Sequence, residues 1–477
     1  MTMIPSTALS ALDGAVFGGL HTTDELRAIL GERGLLARFL QVEAELAAAQ
    51  ADLDVVPAEV APALRAVTID DLDIARLASR TNAAGYPIVG LVEQLAVILP
   101  DGLGQYAHWG ATTQDIMDTA AVLQTVAALD VIERDLLRTL AALMELATKH
   151  GSAVMVGRSQ LQHALPITFG YRVASWTAPL LRHLDRLAEL RPRVAMVQLG
   201  GAVGSLAAMA PHGPEIRREL ARRLGLAAPS ISWHATRDRF VEVVAWAAQV
   251  AASLAKIGLD IVVGSQTELA ELSEPSAPGR GVSSTMPQKR NPIGSQQLIR
   301  AARLTRTYLD LALDAAVADA ERATAVWSLE WHSLAPALAV CGGAVHTAAD
   351  VLAGLRVDAA AMAANLDRTH GLIMAESVMM RLAPVLGRQA AHDQLEALVT
   401  ASLESGESFA TLVGRRDPKL ADAVTPAGYL GHVDEQTVAV MSEAAARVGG
   451  QTSTQGNSTG PRSPLRNLSG AKGAMAE

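Results

Sequence analysis

Residues 275–292 read PSAPGRGVSSTMPQKRNP, a Gly-, Ser- and Pro-rich stretch between two long runs of helical periodicity. Gly279 and Gly281 permit hinge conformations that other residues disfavour. Two consecutive serines, Ser283 and Ser284, could approach a substrate when such a loop closes. A Lys-Arg-Asn triplet then precedes a new helix, whose N-terminus suits a carboxylate. An ordinary inter-helix loop fits the same spacing equally well.

Long proline-free runs of Ala, Leu and Val lie on both sides of this stretch, over residues 115–150, 237–273 and 293–317. Ala and Leu favour helices, and helices that are apolar around much of their circumference must bury several faces. We therefore predict an all-α fold of three helical domains, with a long central bundle that forms an oligomer core. The predicted boundaries are 1–110, 111–355 with the signature loop at 275–292, and 356–448, followed by a disordered tail at 449–477.

The bulk properties exclude several classes of protein. A formal net charge of −9 argues against a nucleic-acid surface, which needs a concentrated basic face. The single cysteine, Cys341, cannot form an intrachain disulfide. The sequence contains neither a signal-peptide pattern nor an uninterrupted apolar stretch of about 18 residues. We expect a soluble, cytoplasmic protein without a membrane span, and neither the histidine spacing nor the single cysteine predicts a metal site. The Gly-rich residues 200–204 lie among predicted helices without a preceding strand, so we expect no nucleotide cofactor.

The segment Gly281–Pro292 resembles the signature loop of the fumarase/aspartase superfamily, usually written G-S-S-x-M-P-x-K-x-N-P, with Val282 where the signature has glycine. Residues 108–119 (HWGATTQDIMDT) and 157–166 (GRSQLQHALP) look like two further signature blocks of that superfamily. The similarity extends over most of residues 20–445 and is closest to the 3-carboxy-cis,cis-muconate cycloisomerase group. This resemblance implies a homotetramer whose active sites form where three subunits meet.

The resemblance also implies roles for individual residues. Members of the superfamily remove a proton beside a carboxylate, and the resulting dianion needs preorganised positive charge and hydrogen-bond donors. Ser283 would be the general base, with its alkoxide stabilised by Lys289 and backbone N–H groups. Either Arg237 or Arg239 would clamp the substrate while the other forms a structural ion pair. The complete set of expected substrate-binding residues is His108, Thr112, Thr113, Gln160, Arg237, Arg239, Ser284, Met286 and Asn291.

Departures from the superfamily pattern bear on the substrate. Many members have a histidine at the position of Gln160 and a glutamate at that of Gln296, a pair that protonates the leaving group. Glutamine cannot titrate, so we expect a leaving group that departs as a stable anion. Two further departures from the cycloisomerase pattern, at residues 83–87 and 327–331, indicate a changed pocket.

Three functions remain open at this point. We predict first a lyase that converts a substituted succinate to fumarate and an anionic leaving group, with nitrosuccinate as the leading substrate and nitrite as its product. The alternative is a lactonising 3-carboxy-cis,cis-muconate cycloisomerase. A non-catalytic structural homologue is the third, and the intact Ser283, Lys289 and Asn291 disfavour it. For either enzyme the expected ligand is a small di- or tricarboxylate.

Overall fold

A computed structural model of the chain describes residues 9–276 and 279–454. Helices make up nearly all of its regular structure, so the predicted all-α class is confirmed. Pro87 opens the last of the N-terminal helices, where its missing N–H has no helical partner to lose. The five N-terminal helices are α1 Asp24–Leu30, α2 Glu32–Ala51, α3 Val60–Ala66, α4 Ile74–Ala84 and α5 Pro87–Ile98.

Five long helices form the centre of the molecule, and each contributes buried side chains to the largest hydrophobic core. Close approach of two of them requires glycine at position 258, because a Cβ there would lie 2.8 Å from the carbonyl oxygen of Ser295. The five are α6 Thr113–His150, α7 Phe169–Val194, α9 Asp238–Gly264, α10 Ile293–Ala315 and α11 Leu334–Ala353, and the shorter α8 Gly213–Leu224 packs beside α2.

The bundle has two ends, which we name the Thr112 end and the loop end. At the Thr112 end, α6 and α9 both begin, and Asp118 near the start of α6 binds Arg237, which directly precedes α9. At the loop end, α9 terminates and the described residues 279–292 of the predicted loop lead into α10. Because α9 contains 27 residues, the two ends lie about 40 Å apart.

Four short strands lie at the loop end. β1 Val154–Ser159 and β2 Gln162–Thr168 form an antiparallel hairpin between α6 and α7, and β3 Leu272–Ser273 pairs with β4 Arg356–Val357. Arg158, beside the hairpin turn, forms a bidentate ion pair with the buried Glu271 at 3.0 and 2.7 Å. The hairpin is therefore fixed to the segment that leads into the loop.

The C-terminal helices contribute to more than one hydrophobic core. A small core around Phe409 and Val413 joins three of them. The last helix, however, returns to the central bundle, where it packs on α6 and α7 and adds Ala444 to the large core. These helices are α12 Ala359–Asp367, α13 Ala375–Leu386, α14 Arg388–Ser405, α15 Phe409–Arg416 and α16 Val433–Thr454.

The predicted disordered tail begins at residue 449, and α16 extends beyond that position to Thr454. The remaining residues of the predicted tail, 455–477, lie outside the described part of the chain. The domain boundaries stay predictions.

Two segments, α9 and Val326–Ala353, are long and apolar enough to cross a membrane by length and composition. The fold buries 56% and 72% of the residues in their most apolar windows. Core helices of proteins that never meet a membrane pass the same test, so this is weak evidence for a span. The expectation of no membrane span stays a prediction.

Candidate active site

Ser283 lies on the loop between α9 and α10, with its hydroxyl oxygen surrounded by backbone donors. Its Oγ accepts hydrogen bonds from the N–H groups of Thr285 at 3.3 Å and Met286 at 3.1 Å. Such hydrogen bonds strengthen when the acceptor carries a negative charge. The local geometry thus favours the alkoxide that a serine base requires.

Contacts at its base hold the loop in shape. The carbonyl oxygen of Gly281 accepts hydrogen bonds from the Asn291 backbone N–H at 2.8 Å and from Asn291 Nδ2 at 3.3 Å. Gly281 has a φ of +64°, and a Cβ there would lie 2.5 Å from the Asn291 carbonyl oxygen, so this position requires glycine. Asn291 uses one amide N–H inside the loop, which leaves its second N–H and its side-chain oxygen for a ligand.

The other predicted residues of the loop, Ser284, Met286 and Lys289, are exposed in the single chain. The Lys289 ammonium forms no hydrogen bond or ion pair with the residues that the structure describes. A lysine without a partner in its own chain can meet a carboxylate or an alkoxide that reaches the loop.

The N-terminus of α10 does not offer its donors to a substrate, contrary to the expectation from the sequence. The Glu274 carboxylate accepts hydrogen bonds from the Gly294 N–H at 3.1 Å and from the Ser295 N–H and hydroxyl at 2.6 and 2.7 Å. A helix N-terminus does favour a carboxylate, but the chain supplies its own. This helix end therefore anchors the loop.

Thr112 caps α6 and contacts an arginine that the sequence reasoning missed. Arg322 Nη1 donates to Thr112 Oγ1 at 2.5 Å. Arg322 forms no ion pair with a described carboxylate, and the half-buried Thr113 side chain has no described hydrogen-bond partner. An unpaired guanidinium beside two threonines at a helix N-terminus suits a carboxylate.

His108 lies at the same end and is oriented by Glu43 on α2. Its Nδ1 donates to Glu43 Oε1 at 2.7 Å, and the Glu43 side chain is fully buried. Burial alone would lower the pKa of His108, but the charge and hydrogen bond of Glu43 outweigh it and raise this pKa. With Nδ1 occupied, Nε2 is the ring nitrogen left to face a ligand.

The structure distinguishes the two arginines that the sequence left equivalent. Arg237 is fully buried and donates to both carboxylate oxygens of Asp118, at 2.7 and 2.9 Å, and to both of Glu330. These bonds occupy the Nε, Nη1 and Nη2 donors of its guanidinium group. The expectation that Arg237 binds substrate is therefore wrong, and Arg237 forms a structural ion pair. Arg239 lies over the Trp233 ring at 4.6 Å, and its buried Nε and Nη1 have no described partner. Arg239 is thus the arginine that remains available to an anion.

Gln160 forms the tip of the β1–β2 hairpin together with Leu161, and both adopt left-handed φ values of 53° and 62°. Such a two-residue turn matches the twist of antiparallel strands. The Gln160 side chain is exposed at the loop end, and so is Gln296 on the first turn of α10. Neither side chain can deliver a proton to a leaving group.

Segments 83–87 and 327–331, where the sequence departs from the cycloisomerase pattern, contact each other in the structure. Tyr86 stacks on Trp327 with ring centroids 5.3 Å apart, and its edge meets Trp331 at 6.1 Å. The two tryptophan rings are 5.5 Å apart. The shortened segment 83–87 and the altered segment 327–331 therefore form a single aromatic cluster.

Within one chain, the predicted site residues fall into two groups. The first lies at the Thr112 end and the second lies about 40 Å away at the loop end. A small di- or tricarboxylate cannot bridge that distance. The first group contains His108, Thr112, Thr113, Arg237 and Arg239, and the second Gln160, Ser283, Ser284, Met286, Lys289 and Asn291.

Among the described side chains, no group of three or more His, Cys, Asp and Glu is arranged to hold a metal ion.

The structure thus combines an all-helical bundle with a serine-bearing loop at one end and a threonine-capped long helix at the other. A family model described as "Lyase" matches residues 19–304, and one described as "Adenylosuccinate lyase C-terminus" matches residues 371–440. The chain belongs to this lyase family and is an enzyme of the fumarase/aspartase superfamily. The alternative of a non-catalytic homologue is thereby not supported.

Three known proteins show what the chain is similar to. Trans-aconitate decarboxylase 1 of Mycosarcoma maydis is 38% identical over 454 residues, which cover 93% of this chain and 91% of that protein. N-acetyl-S-(2-succino)cysteine lyase of Dickeya dadantii is 33% identical, with 90% and 96% covered. The crystal structure of 3-carboxy-cis,cis-muconate lactonizing enzyme from Pseudomonas putida matches with a TM-score of 0.86 and 38% identity, with 91% and 99% covered.

Proposed function

We propose that the enzyme eliminates a group from the β carbon of a substituted succinate, giving fumarate and an anionic leaving group. Ser283 removes the proton beside one carboxylate, and Lys289 and Asn291 bind the carboxylate that takes up the charge. The observation that carries this proposal is the pair of backbone N–H groups on Ser283 Oγ, because a serine without such donors has no useful basicity.

The leaving group is an anion that needs no proton from the enzyme. Gln160 and Gln296 occupy the positions where other members of the superfamily have an acid pair, and an amine would depart poorly without that acid. Nitrite is such an anion, and nitrosuccinate is the first substrate to test. A thiolate is another, and the Dickeya dadantii relative is named for a succinyl thioether substrate.

A lactonising cycloisomerase is the second candidate, because its leaving group in the reverse direction is a carboxylate. The TM-score of 0.86 and 38% identity with the Pseudomonas putida enzyme favour it. The shortened segment 83–87, which places Tyr86 against Trp327, argues for a different pocket. Decarboxylation of trans-aconitate is a third reaction to assay, because the Mycosarcoma maydis relative carries that name.

We further propose a cytoplasmic homotetramer with shared active sites and without a cofactor, a nucleic-acid partner or a membrane span. The 40 Å between the Thr112 end and the loop end supports sharing, because a second chain must bring its loop to the threonines of the first.

The test is a panel of four substrates on the purified protein. Nitrosuccinate would be followed by nitrite and fumarate, N-acetyl-S-(2-succino)cysteine by free thiol, 3-carboxy-cis,cis-muconate by loss of diene absorbance, and trans-aconitate by CO2. Ser283→Ala should lower kcat by at least about 10³-fold, and Ser276→Ala, on the same loop but outside the proposed site, should not. Turnover of either succinate supports the proposal. Diene loss or CO2 release without fumarate would overturn it in favour of the corresponding relative.

A further inference from the structure

A cavity of about 410 Å³ lies at the loop end, where the signature loop meets the β3–β4 sheet. Its lining includes Ser273 of β3 and Arg356 of β4, together with Arg280 and Arg290 of the loop. A volume of this size holds a small molecule with a few charged groups. The residues around it decide which charge such a molecule would carry.

This cavity is distinct from the part of the loop that would remove the proton. Ser283 and Lys289 are not among the described residues that line it. Ser276, which does line it, lies outside the proposed active site. Of the described lining residues, Asn291 alone also belongs to that site, and its amide N–H donates to the Gly281 carbonyl oxygen. The proposed base and its cationic partner therefore lie outside this cavity.

Arg280 is partly buried in the cavity wall, and its guanidinium group has no described hydrogen-bond partner. Its Nε is buried and forms no hydrogen bond with the described residues. Its Nη2 lies 3.9 Å from Glu274 Oε2, which is beyond hydrogen-bond distance. Both oxygens of Glu274 already accept hydrogen bonds from the start of α10. A buried donor without an acceptor costs free energy, and an anion in the cavity would supply that acceptor.

The other two arginines also carry charge that no described carboxylate balances. Arg290 Nη1 donates to the carbonyl oxygens of Pro287 at 2.7 Å and Lys289 at 3.3 Å. Arg356 is exposed and forms no ion pair within the described part of the chain. Among the described lining residues Glu274 is the one acidic side chain, so three guanidinium groups accompany a single carboxylate. The cavity therefore has an excess of positive charge and of hydrogen-bond donors.

We infer that this cavity binds a small anion that carries a phosphate group, at a site separate from that of the carboxylate substrate. A phosphate dianion offers three terminal oxygens, all of them acceptors, and guanidinium groups bind such oxygens through pairs of parallel hydrogen bonds. Arg280 and Arg290 belong to the loop and Arg356 to β4, so a ligand that all three bind joins the loop to the sheet. This binding is an addition to the proposed elimination and does not depend on its substrate.

The experiment compares two phosphate probes with an uncharged one. Pyrophosphate, ribose 5-phosphate and ribose would be titrated calorimetrically into the full-length protein near neutral pH and at low salt. We expect the better phosphate probe to bind at least about tenfold more tightly than ribose. Tighter binding of pyrophosphate would support an inorganic ligand, and tighter binding of ribose 5-phosphate would support a phosphate ester. No saturable binding of either phosphate probe would overturn the inference. Because no turnover is measured, the result is independent of the substrate panel.

Matched variants locate the binding. Arg356 and Arg388 are both exposed and unpaired within the described residues, but only Arg356 lines the cavity. Arg356→Gln should weaken binding of the better phosphate probe about fivefold and Arg280→Gln about tenfold, whereas Arg388→Gln should leave it unchanged.

A further variant separates this cavity from the carboxylate site. Arg322→Gln, at the Thr112 end, should leave the affinity for the phosphate probe unchanged. If Arg322→Gln weakens that affinity as much as Arg280→Gln does, the phosphate binds at the carboxylate site and the inference is wrong. It is equally wrong if Arg356→Gln and Arg280→Gln both bind the probe like the original protein.

Discussion

Mixing two inactive variants tests whether each active site is shared between chains. In one chain, Ser283 at the loop end and Thr113 at the Thr112 end are separated by about 40 Å, the length of α9. A site that contains both must therefore take them from different chains. We expect Ser283→Ala and the double variant Thr113→Val/Arg322→Gln to be inactive separately and to restore activity when they assemble together.

The expected recovery follows from random assembly. In a one-to-one mixture, half of the loops carry intact Ser283, and half of the Thr112 ends are intact. These two segments of a shared site come from independent chains, so about one quarter of the sites contain both intact segments. If one chain supplied both segments, no site in the mixture would be intact.

The variants would carry different affinity tags, be dissociated and reassembled together, and be assayed with the substrate that the panel identifies. The control pairs Ser283→Ala with Lys289→Met, two changes on the same loop. That mixture should recover nothing, because every loop with an intact serine carries an altered lysine. The reasoning is refuted if the two tags co-purify in the first mixture and activity stays at the background of the separate variants.

Three further predictions concern individual side chains. Arg237→Met should lower the free energy of unfolding by about 3–5 kcal/mol, because it strands Asp118 and Glu330 without their cation; a urea midpoint equal to that of the original protein would contradict this. Burial and two neighbouring arginines lower the pKa of His183 from 6.5 to about 4, so the folded protein keeps it neutral. The contribution of neutral His183 to the free energy of unfolding is fully present above pH 6.5 and is lost as pH falls towards 4. His183→Gln should therefore reduce the loss of folding stability at pH 5 by about 2 kcal/mol, measured as Tm against pH. Arg322→Gln should raise KM about tenfold or more with a smaller change in kcat, and an unchanged KM would show that Arg322 does not bind the substrate.

Some of the candidate site could be predicted from the sequence because its function depends on local chain geometry. The loop of residues 275–292 carries the serine, the lysine and the glycine that its backbone requires within a few residues of one another. Its hydrogen bonds to Ser283 Oγ come from Thr285 and Met286, which are adjacent in sequence. A pattern of neighbouring residues was therefore sufficient to identify it.

Other parts of the site depend on residues that are distant in sequence. Arg237 and Arg239 differ by two positions in the same local context, and only the approach of Asp118 and Glu330 makes the first one structural. Arg322 reaches Thr112 across 210 positions, and Glu274 fills the helix N-terminus that the sequence offered to a substrate. No local pattern reports such contacts, because they depend on how whole helices are arranged.

The sequence by itself determined the all-α class, the superfamily and the loop that bears Ser283, since helix propensity, hydrophobic periodicity and a contiguous motif are local properties of the chain. Only the tertiary structure decided that the two halves of the site lie at opposite ends of the bundle. It also decided that Arg237 is an internal ion-pair partner, and that the altered segments 83–87 and 327–331 meet in one aromatic cluster. These features follow from the lengths and packing of long helices. The packing brings together residues that are distant in sequence, and the length of the helices separates the signature segments at the two ends of the bundle.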